Sequence, residues 1–245
     1  CYNGSFFNTS LGHFCQFYTR DFGFCAESLV KLGYKKKAKD TIEYALSVFY
    51  KHNTIATTIT PDHKPLHIFD YSPDSLPLLL KSLRVTNLKL TNKHKKFLEQ
   101  KAKEYFRLVF DPETGLVKKD KYFSSMKDNA KRKSACYDNS MLSMLSDELD
   151  ALNLENPFTG YNIKKNIKEN FWQGNYFLED LSGKKHIAAD AQVFPFWCGV
   201  FNDKTMLKKA LDSIQKEGLD KPMPLKYTID ASQTELIFPL NIVLS

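Results

Sequence analysis

Long apolar runs, paired cysteines and clustered charge are all missing from this sequence, and each absence removes a class of protein. No apolar run among the 245 residues approaches the roughly 18 to 20 that cross a bilayer, so a membrane-spanning helix is not expected. The five cysteines (Cys1, Cys15, Cys25, Cys136, Cys198) are odd in number and never spaced CxxC. That argues against a disulfide framework or a zinc site and for a reducing, cytoplasmic compartment. The six histidines (His13, His52, His63, His67, His94, His186) show no HExxH spacing, so a metal site is not expected. No GxxxxGKS/T, GxGxxG or GxSxG element occurs, which leaves phosphate cradling and nucleophile-elbow chemistry without support; no cofactor is implied. Thirty-five Lys and Arg against 28 Asp and Glu give a net charge of +7, but it is spread along the chain. A nucleic-acid surface needs clustering, so neither nucleic acid nor membrane is an expected partner.

What is present is an ordinary globular balance, 42% apolar and 26% charged residues, which disfavours disorder and fibrous repeats. Helical periodicity dominates. Phe22, Cys25, Ala26, Leu29 and Leu32 form one face before Gly33, and Ala38, Ile42, Ala45, Leu46 and Phe49 a second. A third helix starts near Asp74, with Pro77 in its first turn, and runs through Leu83. A fourth carries Phe97, Leu98, Tyr105, Phe106 and Val109; Leu142, Leu145 and Leu149 mark a fifth; Ile163, Ile167 and Phe171 a sixth. The seventh spans about Asp190 to Phe201, and the eighth has Met206, Leu207, Ala210, Leu211 and Ile214. Strand signals are confined to short pieces such as Tyr176-Phe177-Leu178. The expected class is all-α.

The eight helices alternate in character. The even ones are lysine-rich (Lys35, Lys36, Lys37 and Lys39 in the second), whereas the odd ones carry few charges. A helix with one charged face meets water and one apolar all round is buried. Inner and outer helices alternating along the chain describe an (α/α) toroid of helical hairpins, with an open solenoid as the alternative. Each odd helix also opens on a polar cluster: Thr19-Arg20-Asp21, Asp70-Tyr71-Ser72-Pro73-Asp74, Tyr137-Asp138-Asn139-Ser140 and Asp190-Ala191-Gln192. Carboxylates there are also ordinary N-caps, worth about 1 kcal/mol each. Asn3-Gly4-Ser5 and Asn8-Thr9-Ser10 fit the glycosylation sequon, a short pattern that also arises by chance.

These segments carry a resemblance. YTRDFGFCAESLVKLGY (18–34) resembles the Arg-Asp opening motif of six-hairpin glycosidases, the glucoamylase, neutral invertase and processing-glucosidase group. IFDYSPDSLPLLLKSL (68–83) is similar to their second inner helix, and SACYDNSMLSML (134–145) to the Asp-Asn-Ser element that holds the general acid. DAQVFPFWCGVF (190–201) is similar to a block of archaeal members.

The resemblance implies an inverting hydrolase acting on an α-glucoside or a related small saccharide. Asp138 would be the general acid, with Tyr18, Arg20, Asp21, Asp70, Asp74, Tyr137, Asn139, Asp190 and Trp197 binding the sugar. Such enzymes need one carboxylic acid to protonate the leaving oxygen and one carboxylate to activate water, about 6.5–9.5 Å apart. In the group the base lies on a late inner helix. The sequence breaks off in the apolar stretch Ile242-Val243-Leu244-Ser245, so the expectation is a single catalytic-type domain cut from a longer chain. On that reading four of about six hairpins are present and the base is not. Glu235 would serve as base only if its loop folds over the site. The alternatives are a sugar epimerase or isomerase on the same toroid, which wants facing histidines, and a helical-repeat protein binding through its basic face.

Overall fold

The computed structural model describes residues 1–10, 12, 14–127 and 130–221; Glu235, His13 and the segment 242–245 lie outside them. The elements follow in the order β1 (Phe17–Tyr18), α1 (Thr19–Lys31), α2 (Lys35–Lys51), β2 (Thr58–Ile59), β3 (Pro65–Leu66), α3 (Ser75–Thr86), α4 (Asn92–Val109), β4 (Phe110–Asp111), β5 (Leu116–Val117), α5 (Cys136–Ala151), α6 (Ile163–Phe171), α7 (Ala189–Trp197) and α8 (Lys204–Lys216). Eight helices and only two-residue strands among the described residues make the class all-α. No described helix is long and apolar enough to cross a membrane. Contacts divide the described residues into two compact units: 1–110 with 141–161, and 111–140 with 162–221.

In the first unit, α3 buries nearly its whole circumference, as its apolar run Leu76 to Leu80 requires. The helix α1 lies against it through Gly23, where a β-carbon would stand 2.6 Å from that of Leu78. Arg84, in the last turn of α3, donates to both carboxylate oxygens of Glu148 at 2.5 and 2.7 Å. Aromatic rings fill the rest of this core: Tyr105 and Phe110 both meet Phe158 edge-on. In the second unit α7 packs with α8 around Ala189, Ile214 and Leu219, and Phe177 stacks on Phe201 at 5.7 Å.

The inner–outer alternation holds for seven of the eight helices. The helices α2, α4, α6 and α8 bury one apolar stripe each and turn most of their lysines to water. Lys101 is the exception: it is buried, ion-paired to Glu104 and seated over the Phe97 ring. The expectation of buried odd helices fails at α1, which covers only Thr19, Phe22, Gly23 and Ala26 and leaves Cys25 and Ser28 exposed. Its charges at Asp21, Glu27 and Lys31 already mark a wet face. Tyr176–Leu178 forms no strand, only one bridge between Phe177 and Trp172. The seventh helix ends at Trp197 and not Phe201, because Gly199 takes the left-handed conformation (φ 72°) and turns the chain. None of the five cysteines is joined in a disulfide.

Candidate functional site

The starts of α1 and α3 are brought together by a small sheet. Antiparallel pairing sets Tyr18 opposite Thr58 and Thr58 opposite Leu66, so β1 and β3 run side by side with β2 between them. One residue further on, the Thr19 N–H donates to the Thr57 carbonyl at 2.9 Å, and the Thr19 hydroxyl to Ala56. This row launches α1 with Arg20 in its first turn. Arg20 Nε donates to Asp74 Oδ2 at 2.5 Å, with the Asp74 side chain fully buried and Arg20 at 14% exposure. Ser72 donates to the other oxygen of Asp74 at 2.6 Å. Asp74 therefore holds Arg20 in place and is enclosed by protein. Tyr18 is half-buried and its hydroxyl accepts from Gln16. Asp70 is exposed in the loop before α3. Asp21 lines a cavity of about 340 Å³ with Asn8, Phe22, Phe24 and Cys25 among others.

The second unit carries a denser group. Asp138 sits in the first turn of α5, 4% exposed. Arg132, buried in the segment just before α5, donates to Asp190 Oδ2 at 2.8 Å and to the Ser125 hydroxyl at 2.5 Å, with a Glu179 oxygen 3.9 Å away. Burial works against a charge on Arg132, yet Asp190, Asp138 and Glu179 more than offset it and hold the guanidinium above its ordinary pKa. Glu179 in turn accepts from Lys127 and pairs with His186. Burial alone would raise its pKa, but these partners, with Arg132, bring it down to about 2. At neutral pH Glu179 is an anion. Cys136, raised by burial and then by the Asp190 charge, keeps its proton.

The neighbours of Asp138 on α5 have structural duties. Tyr137 is fully buried, edge-on to Phe194 at 4.7 Å. The Asn139 amide is consumed by the fold: its oxygen accepts the Val117 N–H at 2.8 Å, and its nitrogen donates to Ala135 and Ser134. Trp197 packs on Phe194 at the far end of α7, seven residues or about 10 Å of helix rise from Asp190.

Sequence reading missed Lys127, Arg132, Glu179 and His186. Their signal was weak: Lys131-Arg132-Lys133 reads as a solvated basic run, and Glu179-Asp180 as a polar turn. Among the described residues no group of three or more His, Cys, Asp or Glu side chains is arranged to hold a metal ion.

No protein-family model matches the chain, and no curated protein sequence does. Solved structures match well. One named "Glycosidase Wild Type" superposes with a TM-score of 0.69 at 12% identity, over 94% of this chain and 69% of that one. The chain shares the fold of that structure. A glycosidase point variant gives 0.63 at 12% identity, over 88% of this chain and 65% of that one. A rhamnosidase from Klebsiella oxytoca with rhamnose bound also gives 0.63, at 8% identity, over 91% of this chain and 45% of that one. The chain thus spans at most about two thirds of the length of these proteins. Identity this low establishes the fold and leaves the chemistry to the side chains.

Proposed function

We propose that the chain belongs to an inverting glycoside hydrolase that takes an α-glucoside or a related small saccharide, with Asp138 as general acid. One observation carries the reading: in a chain of glycosidase fold, Asp138 is a buried carboxyl in the first turn of an inner helix, and its bulk-solvent contact is nearly gone. In the reaction the Asp138 carboxyl gives its proton to the glycosidic oxygen as the bond to the anomeric carbon breaks. A water enters from the opposite face of the ring and loses its proton to a base. In the first unit Arg20, fixed by Asp74, has guanidinium donors of the kind that bind sugar hydroxyls. The basic lysines are dispersed over four outer faces, which supports a saccharide over a polyanion as partner.

The test is Asp138→Asn. The amide keeps the size of the side chain but delivers no proton, so turnover of an unactivated glycoside falls about 10² to 10⁴-fold. Hydrolysis of the matching glycosyl fluoride, whose leaving group needs no acid, is largely retained, and its first-formed sugar has the inverted anomeric configuration by NMR. A variant that loses both substrates equally, or neither, overturns the assignment.

A further inference from the structure

The segment Asn3-Gly4-Ser5, a glycosylation sequon by pattern, has no part in the glycosidase reading, and the fold gives it a shape of its own. Residues 1–8 form a tight hairpin. The Asn8 N–H donates to the Cys1 carbonyl at 2.6 Å, the Asn3 N–H to the Phe6 carbonyl at 3.1 Å, and Tyr2 is bridged to Phe7. The hairpin docks on one face of α2. Lys37 Nζ stands 5.0 Å over the Tyr2 ring, the Phe7 N–H donates to the Thr41 hydroxyl at 3.0 Å, and Phe6 stacks on Tyr44 at 4.6 Å. Asn3, Gly4 and Ser5 form the turn and are exposed.

Asn3-Gly4 is the one Asn-Gly pair in the 245 residues. Gly4 has no β-carbon to hinder the approach of its nitrogen to the side chain before it. Its φ is 101°, a conformation few other residues adopt. The Asn3 side chain is held for the same approach, since its Oδ1 accepts the Ser5 and Phe6 N–H groups, each at 2.9 Å. Two backbone N–H groups on one carbonyl oxygen are the arrangement that stabilises the negative charge of a tetrahedral intermediate. Asn8 shows the contrast within the same hairpin: it precedes the β-branched Thr9, and its Oδ1 is buried.

We propose that Asn3 is a self-modifying site, where the Gly4 nitrogen attacks the Asn3 amide carbon and converts the asparagine to aspartate and isoaspartate. The bond between Gly4 N and Asn3 Cγ forms and the Cγ–Nδ2 bond breaks. The amide nitrogen leaves as ammonia, taking the proton of the Gly4 N–H. Water then opens the cyclic imide at either carbonyl, giving aspartate or, with an added methylene in the main chain, isoaspartate. Either product adds one negative charge to a protein of net charge +7. Aspartate keeps an oxygen for the Ser5 and Phe6 N–H groups. Isoaspartate loses the register, because the lengthened main chain separates the residue 3 N–H from the Phe6 carbonyl and Tyr2 from Phe7. Its formation therefore releases the hairpin from α2. The inference is independent of the glycosidase reading.

The test incubates wild type, Asn3→Ser and Asn3→Asp in warm buffer and follows them by anion exchange and by mass spectrometry of the tryptic peptide 1–20. Wild type gains an acidic species whose mass reflects exchange of NH2 for OH, and fragmentation places the change at Asn3. Asn3→Ser, which keeps an oxygen for the turn, gains none. Conversion is faster in mildly alkaline than in mildly acidic buffer, because the Gly4 nitrogen attacks without its proton. A synthetic peptide of residues 1–7 sets the reference rate, and the folded protein converts at least as fast. In hydrogen exchange the Phe7 and Asn8 amides lose protection in aged wild type and keep it in fresh Asn3→Asp, which identifies isoaspartate as the agent. A folded protein that stays unmodified or converts more slowly than the peptide overturns the site, as does an acidic species that Asn3→Ser also forms. Unchanged protection of Phe7 and Asn8 in converted protein overturns the release of the hairpin.

Discussion

The polar clusters at the starts of α1 and α3 and those at the starts of α5 and α7 look alike in sequence, yet they are built on different terms. In the first unit one guanidinium meets one buried carboxylate, and the residues around them (Tyr18, Phe69, Asp70) remain partly or fully open to water. In the second, Lys127, Arg132, Asp138, Glu179 and Asp190 are all below 10% exposure and His186 closes on Glu179. Enclosing that many charges costs desolvation that is recovered only when every partner stays in place. A single ion pair flanked by exposed residues suits a surface that meets ligand. An enclosed network suits a device that fixes charge around a group such as Asp138.

The comparison breaks first at its hub. Arg132→Met leaves Asp190 and Glu179 without the cation between them, and removing one partner of a buried ionic group costs about 3–5 kcal/mol. Arg20→Met removes a partly exposed cation from the Asp74 carboxylate and costs less, about 2–3 kcal/mol. Urea unfolding of both variants checks the order; equal losses, or a larger one at Arg20, would show that the two clusters do not differ as argued.

Glu179 sharpens the same contrast through pH. Its pKa falls from 4.5 in the open chain to about 2 in the fold. A depressed carboxyl stabilises the native state above its unfolded value and loses that contribution as pH falls through the folded one. The contribution, on the order of 3 kcal/mol, is therefore complete above about pH 5 and drains away between about pH 4.5 and 2. Glu179→Gln removes this acid-labile component, so stability falls at neutral pH and its slope in that window flattens. Asp62 is also drawn down to about 2, by Lys64 and Thr60, but it stands fully in water. Asp62→Asn should leave the acid limb unchanged, because solvent screens its pair. A limb that moves in Asp62→Asn and not in Glu179→Gln would place the acid sensitivity on the surface.

Much of this was legible in the sequence, for reasons that set the limits of such reading. Helix type and alternation follow from the spacing of apolar residues, and the lysines of α2, α6 and α8 are where an amphipathic stripe puts them. The α1 face escaped because five apolar residues at helical spacing look the same whether or not a neighbour covers them. The partners in the second unit escaped for another reason. Arg132 and Asp190 are 58 residues apart and Lys127 and Glu179 are 52 apart. Local pattern carries no information on which distant charges meet. The two-residue strands escaped because their pairing is fixed by the helices they join and not by β propensity.

The smallest effect concerns the bland reading of every aspartate at a helix start, that it is only a cap. Among the described ends side-chain capping is found at the outer helices α4 and α8, though not at α2 or α6. Asp203 accepts the Thr205 and Met206 N–H groups at the start of α8, and Thr91 accepts that of His94 at the start of α4. The inner helices α1, α3 and α7 have no side-chain cap at Tyr18, Asp74 or Ala188. Their carboxylates are spent on Arg20 and Arg132 instead. Asp203→Ala should then cost about 1 kcal/mol, and Asp203→Asn, which keeps an acceptor for the two N–H groups, close to nothing. At the inner helix α7 the same isosteric change has a different consequence. Asp190→Asn preserves shape and hydrogen-bonding atoms but removes a negative charge from Arg132, so it should cost more than Asp203→Asn and at least as much as Asp203→Ala. Thermal unfolding of the three variants in 0.1 M and 1 M salt reads the difference. The buried Asp190 effect persists at high salt, where screening has shortened the Debye length to about 3 Å. An Asp190→Asn variant as stable as Asp203→Asn would return Asp190 to the role of a cap and remove the electrostatic argument from the second unit.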